Sequence, residues 1–104
     1  MVVCRRSDIP AGRGWPIRVG ELNIAVFDLG DRVVAVDNEC RHVGNPIDDG
    51  AVSGGSVTCP WHGWRYDLRT GDLLTMFGRR PGLRTYPVEL KDDQILVEVI
   101  DSGG

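Results

Sequence analysis

No long apolar run occurs in these 104 residues: Ile24-Ala25-Val26-Phe27 is about the longest. A bilayer span needs roughly 20 consecutive apolar residues, so a membrane-crossing helix is not expected. No export signal is expected either, because Arg5-Arg6 runs into Ser7-Asp8-Ile9-Pro10 instead of an apolar segment. The expectation is a cytoplasmic chain. Positive charge is in deficit, with 12 Lys+Arg against 15 Asp+Glu and a formal charge of −3, so nucleic acid and anionic membrane fall in rank as partners. Histidine and cysteine are sparse, at two and three. Three cysteines cannot all pair, and a reducing compartment disfavours a structural disulfide, so metal binding is the first question to ask of them.

Glycine is plentiful, at 14, and with 6 prolines it breaks the chain into short segments. The length suits one domain, residues 1–104, with no repeat, linker or convincing helix. Val2 to Arg6 reads as a first strand, followed by a loop through Pro10, Gly12, Gly14 and Pro16. Glu21 to Leu29 and Arg32 to Asp37 form a hairpin turning at Gly30-Asp31. Residues 38–67 are loop-rich, with a short strand at Ser56 to Cys59 and room for a small helix near Pro46 to Asp49. Tyr66-Asp67-Leu68 and Asp72-Leu73-Leu74 flank a turn at Arg69-Thr70-Gly71, and a second loop passes through Gly78, Pro81 and Gly82. Thr85 to Leu90 and Gln94 to Ile100 close the chain as a hairpin around Lys91-Asp92-Asp93. Short strands separated by turns predict an all-β antiparallel sandwich or barrel. The alternation at 95–100 leaves open which face is inside.

Both histidines and two cysteines fall in the loop-rich stretch, as Cys40-Arg41-His42 and Cys59-Pro60-Trp61-His62, sixteen residues apart. Each arm offers one soft thiolate and one imidazole, and each has a glycine nearby, Gly44 or Gly63, that lets backbone approach a bound centre. Two equivalent arms suggest a paired or two-iron site. A Cys2His2 zinc module is the rival, although common zinc fingers put both cysteines on one arm and both histidines on the other.

These residues resemble the Rieske proteins, whose pattern is C-x-H, a spacer, then C-x-x-H. The resemblance is tight over Cys40 to Asp67 and implies a Rieske-type antiparallel β-sandwich with a loop-rich cluster-binding subdomain at about residues 38–67. It implies one [2Fe-2S] cluster, with Cys40 and Cys59 on one iron and His42 and His62 on the other, nearer the tip. Two neutral imidazoles in place of two thiolates remove negative charge, which raises the potential above that of an all-cysteine cluster. Protons on the imidazoles would make that potential fall with rising pH.

High-potential members carry an extra cysteine in each loop, where this chain has Asn45 and Trp61, and a serine where it has Trp64. Tyr66 stands where that branch keeps a tyrosine that donates to a ligand sulfur. Fewer hydrogen bonds to sulfur imply a potential of roughly −150 mV rather than +300 mV. The loop Trp61 to Asp67 is similar to those of soluble ferredoxins, Rieske oxygenases and the small subunit of assimilatory nitrite reductase. An oxygenase needs a further two-histidine-one-carboxylate iron site, and both histidines are already used.

The resemblance therefore implies a monomeric electron-transfer ferredoxin with no catalytic residues. Its expected partners are a flavin-dependent ferredoxin reductase and a terminal ring-hydroxylating oxygenase. The alternative is a nitrite reductase small subunit. Cys4 is read as a small half-buried thiol and Trp15 as a packing anchor, while Trp61 and Trp64 suit either shielding or docking. The resemblance gives Met76, Phe77, Pro81 and Leu83 a covering role. Arg41, Arg65, Arg79, Arg80 and Arg84 fit either a solvated face or a surface that orients an acidic partner.

Overall fold

In the computed structural model, residues 2–39, 46–60, 63–74 and 82–99 are described. The run Ile24-Ala25-Val26-Phe27 sets the architecture, since its first three residues are fully buried and Phe27 is 1% exposed. Side chains alternate between the faces of a strand, so four consecutive buried positions require packed material on both sides. A four-stranded antiparallel sheet provides this middle layer, in the order β2 (Trp15–Val19), β3 (Leu22–Asp28), β4 (Val33–Asp37), β8 (Thr85–Tyr86).

One face is covered by β1 (Val2–Arg5), β10 (Gln94–Val97) and β9 (Val88–Lys91), paired in that order. Here Ile24, Val26 and Ala35 pack with Ile95, Val97 and Tyr86. The opposite face is covered by β5 (Ala51–Ser53), β6 (Ser56–Thr58) and β7 (Arg65–Asp67). There Ala25, Phe27 and Val36 pack with Ile47, Val57, Cys59 and Tyr66. Each fully buried aliphatic side chain contributes roughly 1.5–3 kcal/mol, so both cores matter to stability.

The all-β expectation holds, and the described residues add only a 3₁₀ turn, Arg6–Asp8. None of the described helices is long and apolar enough to cross a membrane. Arg6 forks onto Asp28 (2.8 and 2.9 Å) and reaches the Gly30 carbonyl (2.8 Å), tying that turn to the β3–β4 hairpin. Its hydrogen bond holds the Asp28 carboxyl below the usual carboxylate range.

Four expectations need correction. Pro16 lies not in a loop but within β2, an edge strand, where a missing N–H is tolerated. Thr85 to Leu90 is not one strand: Pro87 separates β8, which pairs with β4, from β9, which pairs with β10. Residues near Asp48 form a turn instead of a small helix, closed by the Gly50 N–H to the Ile47 carbonyl (2.8 Å). Trp15 is 36% exposed and so is no buried anchor. The last hairpin does resolve the question of facing, with Ile95 and Val97 inside.

Candidate metal centre

Three chain segments have their roots in the core between the middle sheet and β5–β6–β7. The first root leaves β4. Asn38, 7% exposed, follows the last residue of that strand. Its Oδ1 accepts from the Ile47 and Asp48 N–H groups (2.8 and 3.0 Å), and its Nδ2 donates to Asp48 Oδ1 (2.9 Å). One buried amide thus joins both ends of the segment containing Cys40 and His42. The ligand candidates Cys40 and His42, with Arg41, Gly44 and Asn45, lie outside the described residues.

The second root is the β6–β7 connection. Cys59 N–H donates to the Trp64 carbonyl (2.7 Å), and Gly63 N–H returns to the Cys59 carbonyl (3.0 Å). This backbone closure leaves Cys59 1% exposed against Val57, Tyr66 and Ile47 in one core. Gly63 has φ +71°, and a Cβ there would meet nothing within 4 Å. Left-handed backbone, not crowding by protein, is what calls for glycine there. His62 and Trp61 lie outside the described residues. Trp64 is half-buried and packs on this core, which gives it a shielding place.

The third root closes the segment after β7. Leu83 N–H donates to the Gly71 carbonyl (2.7 Å), and Leu74 N–H donates to the Arg65 carbonyl (2.7 Å). A Cβ on Gly71 would overlap the Leu83 carbonyl oxygen, and one on Gly82 would overlap that of Gly71. Backbone packs on backbone here because neither residue has a side chain. Leu83 is buried in the shared core, while Met76, Phe77, Pro81, Arg79 and Arg80 lie outside the described residues.

Of the four ligand candidates, Cys59 is therefore the one whose setting is described. A buried thiol at the mouth of a closed hairpin, over an apolar core, fits a metal centre that must be kept from water. Tyr66 is fully buried in that same core, and none of the described buried side-chain polar atoms lacks a hydrogen bond. Cys4 packs in the core on the other face of the middle sheet, so it does not join Cys59. Burial, with Asp8 adding to it, pushes the Cys4 thiol up and keeps it protonated. Arg65 and Arg84 are exposed, and the Arg84 guanidinium lies 5.0 Å from the Tyr86 ring centroid.

Sequence reasoning missed Asn38. The available signal was an amide at a strand end two residues before a candidate ligand, with no hint of its partners at Ile47 and Asp48.

Comparison with known proteins gives the family. The family described as Rieske [2Fe-2S] domain matches residues 1–87. The ferredoxin component of the naphthalene 1,2-dioxygenase/salicylate 5-hydroxylase systems of Ralstonia is 29% identical, with 89% of this chain and 88% of the relative covered. A ferredoxin of Sphingomonas yanoikuyae superposes with a TM-score of 0.85 at 25% identity, covering 96% and 98%. A chain from the complex of reduced oxygenase and oxidised ferredoxin in carbazole 1,9a-dioxygenase reaches 0.82 at 29%, covering 94% and 100%. A nitrite reductase small subunit reaches 0.84 at 20%, covering 95% and 97%, a likeness of fold alone.

Proposed function

The chain belongs to the Rieske [2Fe-2S] domain family, and from that premise we propose that it is the ferredoxin component of a ring-hydroxylating dioxygenase system. Its cofactor is a Rieske-type [2Fe-2S] cluster. We assign Cys40, His42, Cys59 and His62 as the ligands, within a single domain over residues 1–104. The observation that carries this reading is the buried Cys59 at the closed hairpin mouth, with the first loop rooted in the same core.

When bound, the cluster supplies one-electron redox chemistry. The chain holds the ligand loops at fixed roots, keeps water from Cys59 with Trp64, Leu83 and Ile47, and supports the site with the buried Tyr66. No residue acts on substrate, so substrate chemistry belongs to a partner. The expected partners are a flavin-dependent reductase and a terminal oxygenase, met transiently by a cytoplasmic monomer. The similarity to the ferredoxin of the carbazole dioxygenase complex supports the oxygenase partner. Arg65 and Arg84, both exposed, are the described members of the arginine set that would orient an acidic partner.

The potential belongs at the low end, near about −150 mV, since Trp61, Trp64 and Asn45 replace the groups of the high-potential branch. Film voltammetry of the purified protein with metal analysis tests this. The expected result is two irons per chain and one wave near that value, falling only at alkaline pH. Zinc with no wave would overturn the Rieske cluster, and a wave well above zero would remove the low-potential reading. Stable co-purification with a large flavin or haem subunit would move the chain to nitrite reductase.

A further inference from the structure

Asn38 is the buried polar side chain among the described residues, and all of its described side-chain hydrogen bonds lead to one place. Its Oδ1 accepts the N–H groups of Ile47 and Asp48, and its Nδ2 donates to the Asp48 carboxylate. Its own N–H donates to the Asn23 carbonyl (2.9 Å), fixing it to the end of the middle sheet. The far side is anchored as well: Ile47 is fully buried, and the Asp48 carbonyl accepts from Gly14 N–H (2.9 Å). One amide thus joins two rigid points across residues 39–46.

The other two roots are closed by backbone. Cys59 N–H meets the Trp64 carbonyl, and Leu83 N–H meets the Gly71 carbonyl. Among the described residues, the first loop is closed instead by a side chain, one that stands two residues before Cys40. Partners behind the ligands set ligand orientation and thereby the electronic properties of a metal centre. Removing the amide would also leave the buried N–H of Ile47 and the half-buried N–H of Asp48 without their acceptor.

We propose that Asn38 is a positioning residue: by closing the root of the first loop onto Ile47 and Asp48, it fixes the approach of Cys40 and His42 to the cluster and so tunes its reduction potential. This inference rests on the ligand assignment of the proposed function. Failure of that assignment would appear in the unsubstituted protein, as a reduced-state spectrum lacking two nitrogen ligands. Failure of the Asn38 role appears only in the variants.

The experiment compares the unsubstituted protein with Asn38→Ala, Asn38→Asp and the reciprocal swap Asn38→Asp/Asp48→Asn. In the single Asp variant, two carboxylates meet where an amide met a carboxylate. In the swap, the carboxylate introduced at position 38 accepts both backbone N–H groups and the amide introduced at position 48, with net charge unchanged. Midpoint potential and the electron paramagnetic resonance g-values of the reduced cluster are the primary readouts, because a purely structural role leaves both unmoved. Asn38→Ala and Asn38→Asp are expected to shift both and to lose iron to a chelator about tenfold faster. The swap is expected to return all three to the parent values.

A lower unfolding midpoint with unchanged potential and g-values in Asn38→Ala would overturn the proposal. If Asn38→Ala does not fold, Asn38→Asp and the swap decide: a shift of potential and g-values in Asn38→Asp that the swap reverses supports the role, and an unshifted Asn38→Asp or an unrestored swap overturns it.

Discussion

The two faces of the middle sheet are built from alternate residues of the same strands, yet they are closed in different ways. Ile24 and Val26 face a core sealed by Ile95 and Val97, from a hairpin paired in unbroken register between Gln94–Lys91 and Val97–Val88. Ala25 and Phe27, their neighbours, face a core that holds Cys59 and Tyr66 under three-residue strands and tied loop roots. The first face is closed by apolar area and regular strand pairing, which tolerate small adjustments. The second is closed by specific contacts: the amide of Asn38 and the side-chain-free approach of Gly71 to Gly82. Stability is shared by both faces, whereas Cys59, the described member of the proposed ligand set, belongs to the second.

The sharpest way to break the second face is Gly82→Ala. Its Cβ would overlap the Gly71 carbonyl oxygen, and that neighbour is backbone held by the Leu83 N–H, so relief requires the two segments to part. A loss of about 4 kcal/mol in urea unfolding is expected, together with lower iron content. Parent stability in this variant would show that the third root is loose and that the contrast between the faces is overstated.

A matched pair of smaller changes separates the faces cleanly. Ile95 and Ile47 are both fully buried, one in each core. Replacing either by valine removes one methylene and costs about 1 kcal/mol. Ile95→Val is expected to lower the unfolding midpoint and leave the reduction potential alone. Ile47→Val, whose backbone N–H is bonded to Asn38, is expected to lower the midpoint by a similar amount and move the potential as well. Equal behaviour of the two in voltammetry would mean that cluster position does not depend on which core is disturbed.

The same contrast explains what the sequence made legible. The Gly30-Asp31 hairpin and the closing hairpin at Lys91 to Asp93 were readable because turn residues and apolar runs are local signals. The family was readable from the C-x-H and C-x-x-H arms because residue type and spacing are local too. Strand β2 was hidden by Pro16, whose tolerance depends on the strand being at an edge, a fact of topology. The break at Pro87 was hidden for a related reason, since the residues on its two sides pair with different sheets. Asn38, Gly71 and Gly82 act through partners about ten residues away, and no periodicity announces such pairs. Trp15 reads as an anchor by residue type, while its place on an edge strand leaves it partly in solvent.

The smallest expected effect concerns a bond on the strand-covered face, beside the root of the first loop. Tyr86 is buried in the strand-covered core, and its hydroxyl donates to Asp37 Oδ1 (2.5 Å), one residue before Asn38. Burial, then that hydrogen bond and the negative charge of Asp37, push the Tyr86 hydroxyl from 10 up to about 12, against a smaller opposing pull from Arg84. A tyrosine pKa raised by folding means that the unfolded chain releases its proton first as pH rises. Its contribution is therefore complete below about pH 10 and is lost as pH climbs through about 12. Because Asp37 is half-exposed and its charge screened, the loss should stay below about 1 kcal/mol. Urea unfolding across this window should show a falling midpoint in the parent and a flatter one in Tyr86→Phe. Equal slopes in the two would mean that the Tyr86–Asp37 bond contributes nothing to the stability lost in this window.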